Sequence, residues 1–132
     1  MKYLENYSEE KINKIIKNNG GFFAFNNNQF NDNKKEGVIY CRLYGGLIAP
    51  KNKADYIISQ IDLISKKAIK QDIRENGIKN IVFRDCSNLE LQFSYNGICE
   101  IIDYLKDYNF NKKDIEKHYN NYIEHCIKND LI

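Results

Sequence analysis

The amino-acid sequence predicts an α+β protein in which a small antiparallel β-hairpin or sheet packs against four to five helices. Three observations support this class. Isoleucines recur at helical spacing in several segments, two short segments are rich in strand-forming Phe, Tyr and Ile, and glycines separate these segments. Residues 1–132 are interpreted as a single domain, since a chain of this length buries about two thirds of its unfolded surface.

The first predicted helix runs from about residue 8 to residue 19. Ser8 precedes two glutamates, so its hydroxyl is placed to accept a free backbone N–H while the acids favour the positive end of the helix dipole. Three isoleucines follow at helical spacing. Gly20 is expected to end the helix in the left-handed conformation.

Two predicted strands follow this helix. Phe22–Phe25 are interpreted as a short buried strand with aromatic side chains on both faces, in preference to a stacking platform for bases. Asn26–Asn28 are expected to cap a short helical turn that presents Phe30. Residues 37–44 form the second strand, and the polar link at 31–36 predicts an antiparallel hairpin between the two strands.

The rest of the chain is predicted to be mainly helical. After an apolar exit segment at residues 47–50, the longest helix runs from about residue 52 or 53 to residue 76. Residues 78–93 fit both strands and a helix, so both alternatives stay open. Two further helices are expected at about residues 97–107 and, capped by an asparagine, at about residues 111–128.

The composition bears on the function classes. A formal net charge of +2 gives no strong global field toward nucleic acid or a membrane, so such binding requires a local patch. No P-loop, nucleophile elbow or dinucleotide-binding glycine motif occurs, so we predict no enzyme, no catalytic residue and no cofactor. Charged residues follow Met1 at once and no long apolar run occurs, which favours a cytoplasmic protein with no membrane contact.

The cysteines and histidines give no sign of a metal site. The four cysteines form no C-x-x-C pair and are expected to be reduced thiols in the core: Cys41, Cys86, Cys99 and Cys126. His118 and His125 are seven residues apart, about 10 Å along a helix, which is too far for two ligands of one ion. We therefore predict that no metal is bound.

A basic group on the longest helix is the clearest electrostatic feature. It is the predicted partner-binding site and consists of Lys66, Lys67, Lys70 and Arg74, with Lys51 and Lys53 ahead of it. A solvated helix face is the alternative interpretation. An acidic stripe on a later helix consists of Glu100, Asp103 and Asp107. Together the two groups indicate a bipolar surface, which favours protein partners or a homodimer over free DNA.

Three stretches resemble a family of small uncharacterised proteins from phages and prophages. They are "GGFFAFNNNQF", "GVIYCRLYGGLIAPKNKADYIISQIDLISKKAIKQDIRENG" and "YNFNKKDIEKHYNNYIEH", and the resemblance covers roughly residues 8 to 125. Its most specific part is "AIKQDIRENG", Ala68 to Gly77. The resemblance implies a helical segment after Gly77. It implies no established activity and supplies no catalytic residue.

The phage context that this resemblance implies leads to a functional expectation. Small phage proteins without enzyme motifs often act as stoichiometric inhibitors of host machinery. We expect a counter-defence protein in the host cytoplasm, anti-CRISPR-like, that occupies a bacterial immune nuclease or ribonucleoprotein complex, with the basic group contacting the partner or its guide RNA. The alternatives are a nucleic-acid-binding accessory protein of the phage cycle and, third, an enzyme with an unrecognised site.

Overall fold

The computed structural model describes all residues from 1 to 132. It contains five α-helices and a three-stranded antiparallel sheet, which confirms the predicted α+β class. The elements in chain order are α1 (Glu9–Asn18), β1 (Phe22–Phe23), α2 (Asn27–Asn33), β2 (Tyr40–Arg42), β3 (Leu47–Pro50), α3 (Ala54–Asn88), α4 (Gly97–Tyr104) and α5 (Lys112–Lys128). Short 3₁₀ segments lie at Leu4–Tyr7, Leu91–Phe93 and Lys106–Tyr108.

The chain forms two compact units. The sheet unit is Glu5–Ala68, and the helical unit is Met1–Leu4 together with Ile69–Ile132, so α3 contributes residues to both. The sheet unit buries Ile16, Leu47, Ala49, Ala54 and Ile57 in one apolar cluster. The core of the helical unit is built from the second part of α3 together with α4, α5 and the segments between them. No helix has the length and apolar character that a membrane crossing requires.

The strand order of the sheet is β1-β3-β2, so the predicted hairpin between the first two strands is wrong. Segment 47–50, expected to be an exit segment, is the central strand: Phe22 pairs with Ile48 on one side, and Cys41 pairs with Ala49 on the other. Its first three residues are all buried, as in strands that are covered on both faces. The two glycines before it both have positive φ, which makes a tight turn from β2 into β3.

Both outer strands are shorter than predicted. β1 ends at Phe23, so the strand is shorter than the predicted residues 22–25. The expectation that it is buried is wrong as well, because Phe23 and Phe25 are 47% and 73% exposed, and the Phe25 ring lies over Gly46. β2 begins only at Tyr40, because the preceding residues belong to an exposed loop that follows Gly37, whose φ is +79°.

The helix boundaries agree closely with the asparagine and glycine signals. The Asn26 side chain accepts the Gln29 N–H at 2.8 Å, and the Asn111 side chain accepts the Lys113 N–H at 2.8 Å. Both predicted caps are therefore confirmed. Ser8 occupies the N-cap position of α1 but makes no capping hydrogen bond through its side chain, so that part of the expectation is wrong. Gly20 has φ +77°, as expected at the end of a helix.

The long helix α3 contains a break at Gly77, where φ is 74° and ψ is 162°. The predicted helix end at residue 76 is therefore confirmed, although helical structure resumes at once. Residues 78–88 continue α3, and a 3₁₀ turn follows at Leu91–Phe93. Of the two alternatives for residues 78–93, the helix is right and the strands are wrong.

Candidate functional site

All four residues of the predicted partner-binding site are exposed on α3. We call them the α3 basic face: Lys66, Lys67, Lys70 and Arg74. Lys66 Nζ lies 2.9 Å from a carboxylate oxygen of Asp62, one turn earlier. This hydrogen bond and the charge of Asp62 raise the pKa of Lys66 above its usual value. Asp62 therefore neutralises part of the positive charge of this face. Both side chains of the pair are exposed to solvent, so salt weakens their interaction.

The spacing within the α3 basic face follows from the helix itself. Gly77 is the one non-helical position in α3, so the helix is unbroken across all four residues. Lys66, Lys70 and Arg74 are four residues apart and lie along one side of a regular helix, with about 6 Å of rise between neighbours. The predicted acidic stripe is exposed as well, with Glu100 accepting a hydrogen bond from the Ser94 hydroxyl at 2.9 Å.

Lys51 and Lys53, which the sequence places ahead of this face, line a cavity in the sheet unit. The cavity has a volume of about 650 Å³ and contains three lysines and no carboxylate. We call it the lysine cavity; it is lined by Asn19, Gly20, Lys35, Gly37, Val38, Ile39, Tyr40, Pro50, Lys51, Asn52 and Lys53. A cavity of this size is in the range that accommodates small-molecule groups.

Backbone hydrogen bonds fix the position of each lysine of this cavity. The Lys35 N–H donates to the Tyr40 hydroxyl at 2.8 Å, and the Lys51 N–H donates to the Ile39 carbonyl at 2.8 Å. The Lys53 N–H donates to the Pro50 carbonyl at 2.9 Å. The three ammonium groups therefore extend from anchored backbone, while the long side chains remain free to adjust to an anion.

A second, smaller cavity shares Tyr40 with the lysine cavity. Its volume is about 280 Å³, and its lining includes Phe30, Arg42, Asn26 and Asn27. Tyr40 and Phe30 also pack edge to face, with ring centroids 5.7 Å apart, and Phe22 completes a three-ring cluster. Cationic, amide and aromatic side chains thus meet at this side of the sheet.

The helical unit contains a buried charged network centred on Arg84. Arg84 Nη1 and Nη2 donate to the two carboxylate oxygens of Asp72 at 2.8 and 3.0 Å. Its Nε and Nη2 donate to the two carboxylate oxygens of Asp85 at 2.8 and 3.1 Å. One guanidinium group therefore makes two bidentate pairs, and Asp72 is completely buried.

Three further groups complete the network. The Tyr108 hydroxyl donates to Asp72 at 2.5 Å, the Asn76 amide donates to Asp72 at 2.7 Å, and Arg84 also donates to the Lys2 carbonyl at 3.1 Å. Burial alone would raise the pKa of Asp72, but the hydrogen bonds from Arg84, Tyr108 and Asn76 outweigh it, so this pKa lies below its usual value. Asp72 is therefore a stable carboxylate that anchors the surrounding structure.

The break at Gly77 explains how Asp72 and Arg84 meet. On a straight helix, twelve residues of separation would place them about 18 Å apart. The non-helical Gly77 lies between them, and their side chains form a bidentate pair. The network therefore fixes the direction of the helix after the break, which is a structural role.

The histidines and cysteines do not form a site. No group of His, Cys, Asp and Glu side chains is placed to hold a metal ion. Cys86 and Cys126 are buried, as predicted for core thiols, whereas Cys99 is exposed and Cys41 is half-buried, so the expectation that all four lie in the core is wrong. Burial, with smaller effects of the Asp85 and Cys126 charges, raises the pKa of Cys86 to about 12, which keeps this thiol unreactive.

Comparison with known proteins assigns the chain to a family but to no activity. No curated protein and no solved structure matches this chain. A family model described as "Family of unknown function (DUF7659)" matches residues 4–125, which include β1, β2, β3 and the α3 basic face. This protein therefore belongs to the family of unknown function DUF7659.

Proposed function

We propose that this protein is a stoichiometric binding protein that occupies the surface of a bacterial immune nuclease or another ribonucleoprotein complex, as an anti-CRISPR-like counter-defence protein of a phage or mobile element. The observation that carries this proposal is the α3 basic face. Its four cationic side chains are exposed on an unbroken stretch of one helix, and one of them, Lys66, forms an ion pair with Asp62 on that helix.

A rigid row of cations suits a partner that presents regularly spaced negative charge. In such an interface the charges steer association and fix the register, and their effect falls as salt rises. A guide RNA or an acidic groove of a nuclease has this character. The partner is therefore expected to bind faster and more tightly at low ionic strength.

The first experiment is capture of the partner with the tagged protein from a bacterial lysate, with and without nuclease treatment. A complex recovered under both conditions is then purified, and its target cleavage is measured while the protein is titrated. Loss of cleavage at a near-equimolar ratio supports a stoichiometric inhibitor. Loss at a small fraction of the nuclease concentration indicates turnover by an enzyme and contradicts the proposal.

Charge reversal tests the surface itself. Lys66→Glu, Lys70→Glu and Arg74→Glu together are expected to weaken inhibition by at least tenfold at low salt. The matched control reverses Lys11, Lys14 and Lys17, which are also exposed on a helix and include a comparable ion pair, Lys14 with Glu10 at 3.5 Å. Equal loss in both variants would show that net charge alone matters and would remove the α3 basic face from the interface.

A nucleic-acid-binding accessory protein of the phage cycle is the second candidate. It is favoured by the lysine cavity and by the adjoining rings of Tyr40 and Phe30 in the sheet unit. Proteins that bind single strands combine cationic grooves with aromatic side chains in this way. The purified protein alone would then bind oligonucleotides, whereas the inhibitor requires a protein complex.

A further inference from the structure

We infer that the sheet unit contains a binding site for single-stranded nucleic acid, in which the lysine cavity takes the phosphates and the adjoining Tyr40–Phe30 cavity takes a base. The site uses none of the four residues of the α3 basic face. This inference rests on the second candidate function, for which it names the ligand and the residues, and it does not depend on the inhibitor proposal. Its test uses free oligonucleotide rather than a protein complex, so failure of either proposal is recognised separately.

The charge of the lysine cavity is the first argument. Lys35 comes from the loop before β2, and Lys51 and Lys53 come from the segment between β3 and α3, so two distant chain segments bring their cations to one cavity. No Asp or Glu lines it. A cavity on α1 in the same unit differs, since Glu9 and Glu10 line it together with Lys14 and Lys17. The lining of the lysine cavity therefore favours anions, whereas that of the α1 cavity does not.

The apolar lining is the second argument. Val38 and Ile39 are 39% and 72% exposed, and both line the lysine cavity together with the three lysines. A free inorganic anion has no apolar group that could make contacts with these side chains. A nucleotide has a charged phosphate and an apolar sugar and base, so it matches both parts of the lining. Two asparagine side chains, Asn19 and Asn52, add neutral hydrogen-bonding groups.

The continuity between the two cavities is the third argument. Tyr40 lines both, and beyond it the smaller cavity is lined by Phe30, Arg42 and two asparagines. The edge-to-face contacts with Phe22 and Phe30 hold the Tyr40 ring in place. A nucleic-acid strand whose phosphates bind the three lysines can therefore place a neighbouring base against the aromatic rings and amide groups of the smaller cavity. Duplex bases are stacked inside the helix and reach such groups poorly, which favours a single strand.

The test is fluorescence anisotropy with the full-length protein and labelled twelve-nucleotide dT and U strands, together with a duplex of the same length. We expect the single strands to bind at least tenfold more tightly than the duplex at 50 mM salt. Replacing Lys35, Lys51 and Lys53 by Gln is expected to weaken binding by at least tenfold. The slope of log affinity against log salt should become less steep by about 2, since each phosphate contact on a single strand contributes about 0.7.

The control replaces Lys11, Lys14 and Lys17 on α1 by Gln, which changes the net charge of the same unit equally. Its affinity is expected to stay within about twofold of the unchanged protein. An equal loss in both triple variants would overturn the inference, because binding would then follow net charge. Circular dichroism melting of both variants checks that the fold is retained.

Aromatic variants and mononucleotides test the remaining parts of the site. Phe30→Leu is expected to weaken strand binding severalfold without changing the salt slope, because it removes a ring and no charge. Unchanged affinity in this variant would contradict the assignment of the base to the smaller cavity. Displacement of the strand by micromolar UMP or dTMP would show that a free nucleotide is the ligand and would overturn the assignment to a strand.

Discussion

Arg84 is the central residue of the buried charged network in the helical unit. Its guanidinium group is buried and holds Asp72 and Asp85 through four hydrogen bonds. Burial alone would lower the pKa of Arg84, but the hydrogen bonds to both carboxylates raise it above its usual value, so the group stays charged. Removing a partner from a buried pair costs more than the pair contributes, because the remaining charge is left buried.

Arg84→Met is therefore expected to lower the free energy of unfolding by about 3–5 kcal/mol in urea denaturation at pH 7. Without the cation, the folded-state pKa of Asp72 rises above its unfolded value. The stability of this variant should then increase as the pH is lowered from 7 to 5. The exposed control Lys106→Met should change stability by less than about 0.5 kcal/mol. A variant that is least stable at the lower pH would contradict this account.

In the unchanged protein, Asp72 is expected to give the opposite pH dependence of stability. Its pKa is lower in the folded state, so its contribution is fully present above the unfolded pKa of about 3.9 and is lost as the pH falls through the folded value. The difference in unfolding free energy between the unchanged protein and Asp72→Asn should therefore shrink between pH 5 and pH 3. A difference that stays constant over this range would contradict this account, because it would show that Asp72 has the same pKa in the folded and unfolded states.

The cysteines give a chemical measure of burial. Cys99 is exposed, whereas Cys86 and Cys126 are buried, and the pKa of Cys86 is raised to about 12. At pH 8, a thiol reagent should label Cys99 fast and label Cys86 and Cys126 only after unfolding. Cys99→Ser should abolish the fastest phase. Rapid labelling of that variant at a buried cysteine would indicate that the core of the helical unit opens readily.

At the scale of the elements, α3 is shaped by one glycine. Gly77 adopts φ 74° and ψ 162°, a region that residues with a side chain almost never occupy. The space around it is open, since an added Cβ would meet no atom within 4 Å. The requirement for glycine here is therefore one of backbone conformation and not of packing.

Gly77→Ala is expected to destabilise the protein by about 1–3 kcal/mol through backbone strain alone. Thermal and urea unfolding measure this loss. Lys70→Ala, at an exposed helical position of α3, is the control and should be close to neutral. A neutral Gly77→Ala would contradict this account, because it would show that a side chain at residue 77 causes no backbone strain.

Helices were predicted well because their signals are local. Asn26, Asn111 and Gly20 mark helix ends through contacts with residues close in sequence. The role of β3 could not be predicted in this way, because a short apolar run shows neither which strands it pairs with nor their order. Residues 78–93 could not be assigned from the residues alone, because their apolar positions fit both the helical and the strand period.

The candidate site was predicted only in part, again because some of its residues lie far apart in the sequence. Lys51 and Lys53 were noted as basic, but Lys35 joins them only through the folding of the sheet unit. The partner of Asp72 was missed because Arg84 lies across the Gly77 break. One local signal was available: Asp72 stands between Ile69 and Ile73, which pack against the core, so it had to be buried with a partner.

At the scale of the whole molecule, the two units share α3. Ile57 lies in the core of the sheet unit, and Ile69 and Ile73 pack against the core of the helical unit, all on this one helix. Loss of either core therefore removes the packing that stabilises part of α3. The prediction of a single domain over residues 1–132 was made from the length of the chain and stays a prediction, which unfolding experiments can test.

Scanning calorimetry should accordingly show one unfolding transition, with a calorimetric enthalpy equal to the van't Hoff enthalpy. Arg84→Met should shift this transition to lower temperature without splitting it. Two separated transitions, only one of which moves in that variant, would show that the units unfold independently and that the chain consists of two domains.

The hydrogen bond from Arg84 to the Lys2 carbonyl joins residues that are 82 positions apart. During synthesis, Lys2 is made long before Arg84, and the whole sheet unit, Glu5–Ala68, is made between them. The helical unit can close only after residue 84 and the later segments of this unit have been made. Folding of this unit therefore includes a contact of very high sequence separation, and residues 1–4 stay without this contact in the growing chain until Arg84 has been made.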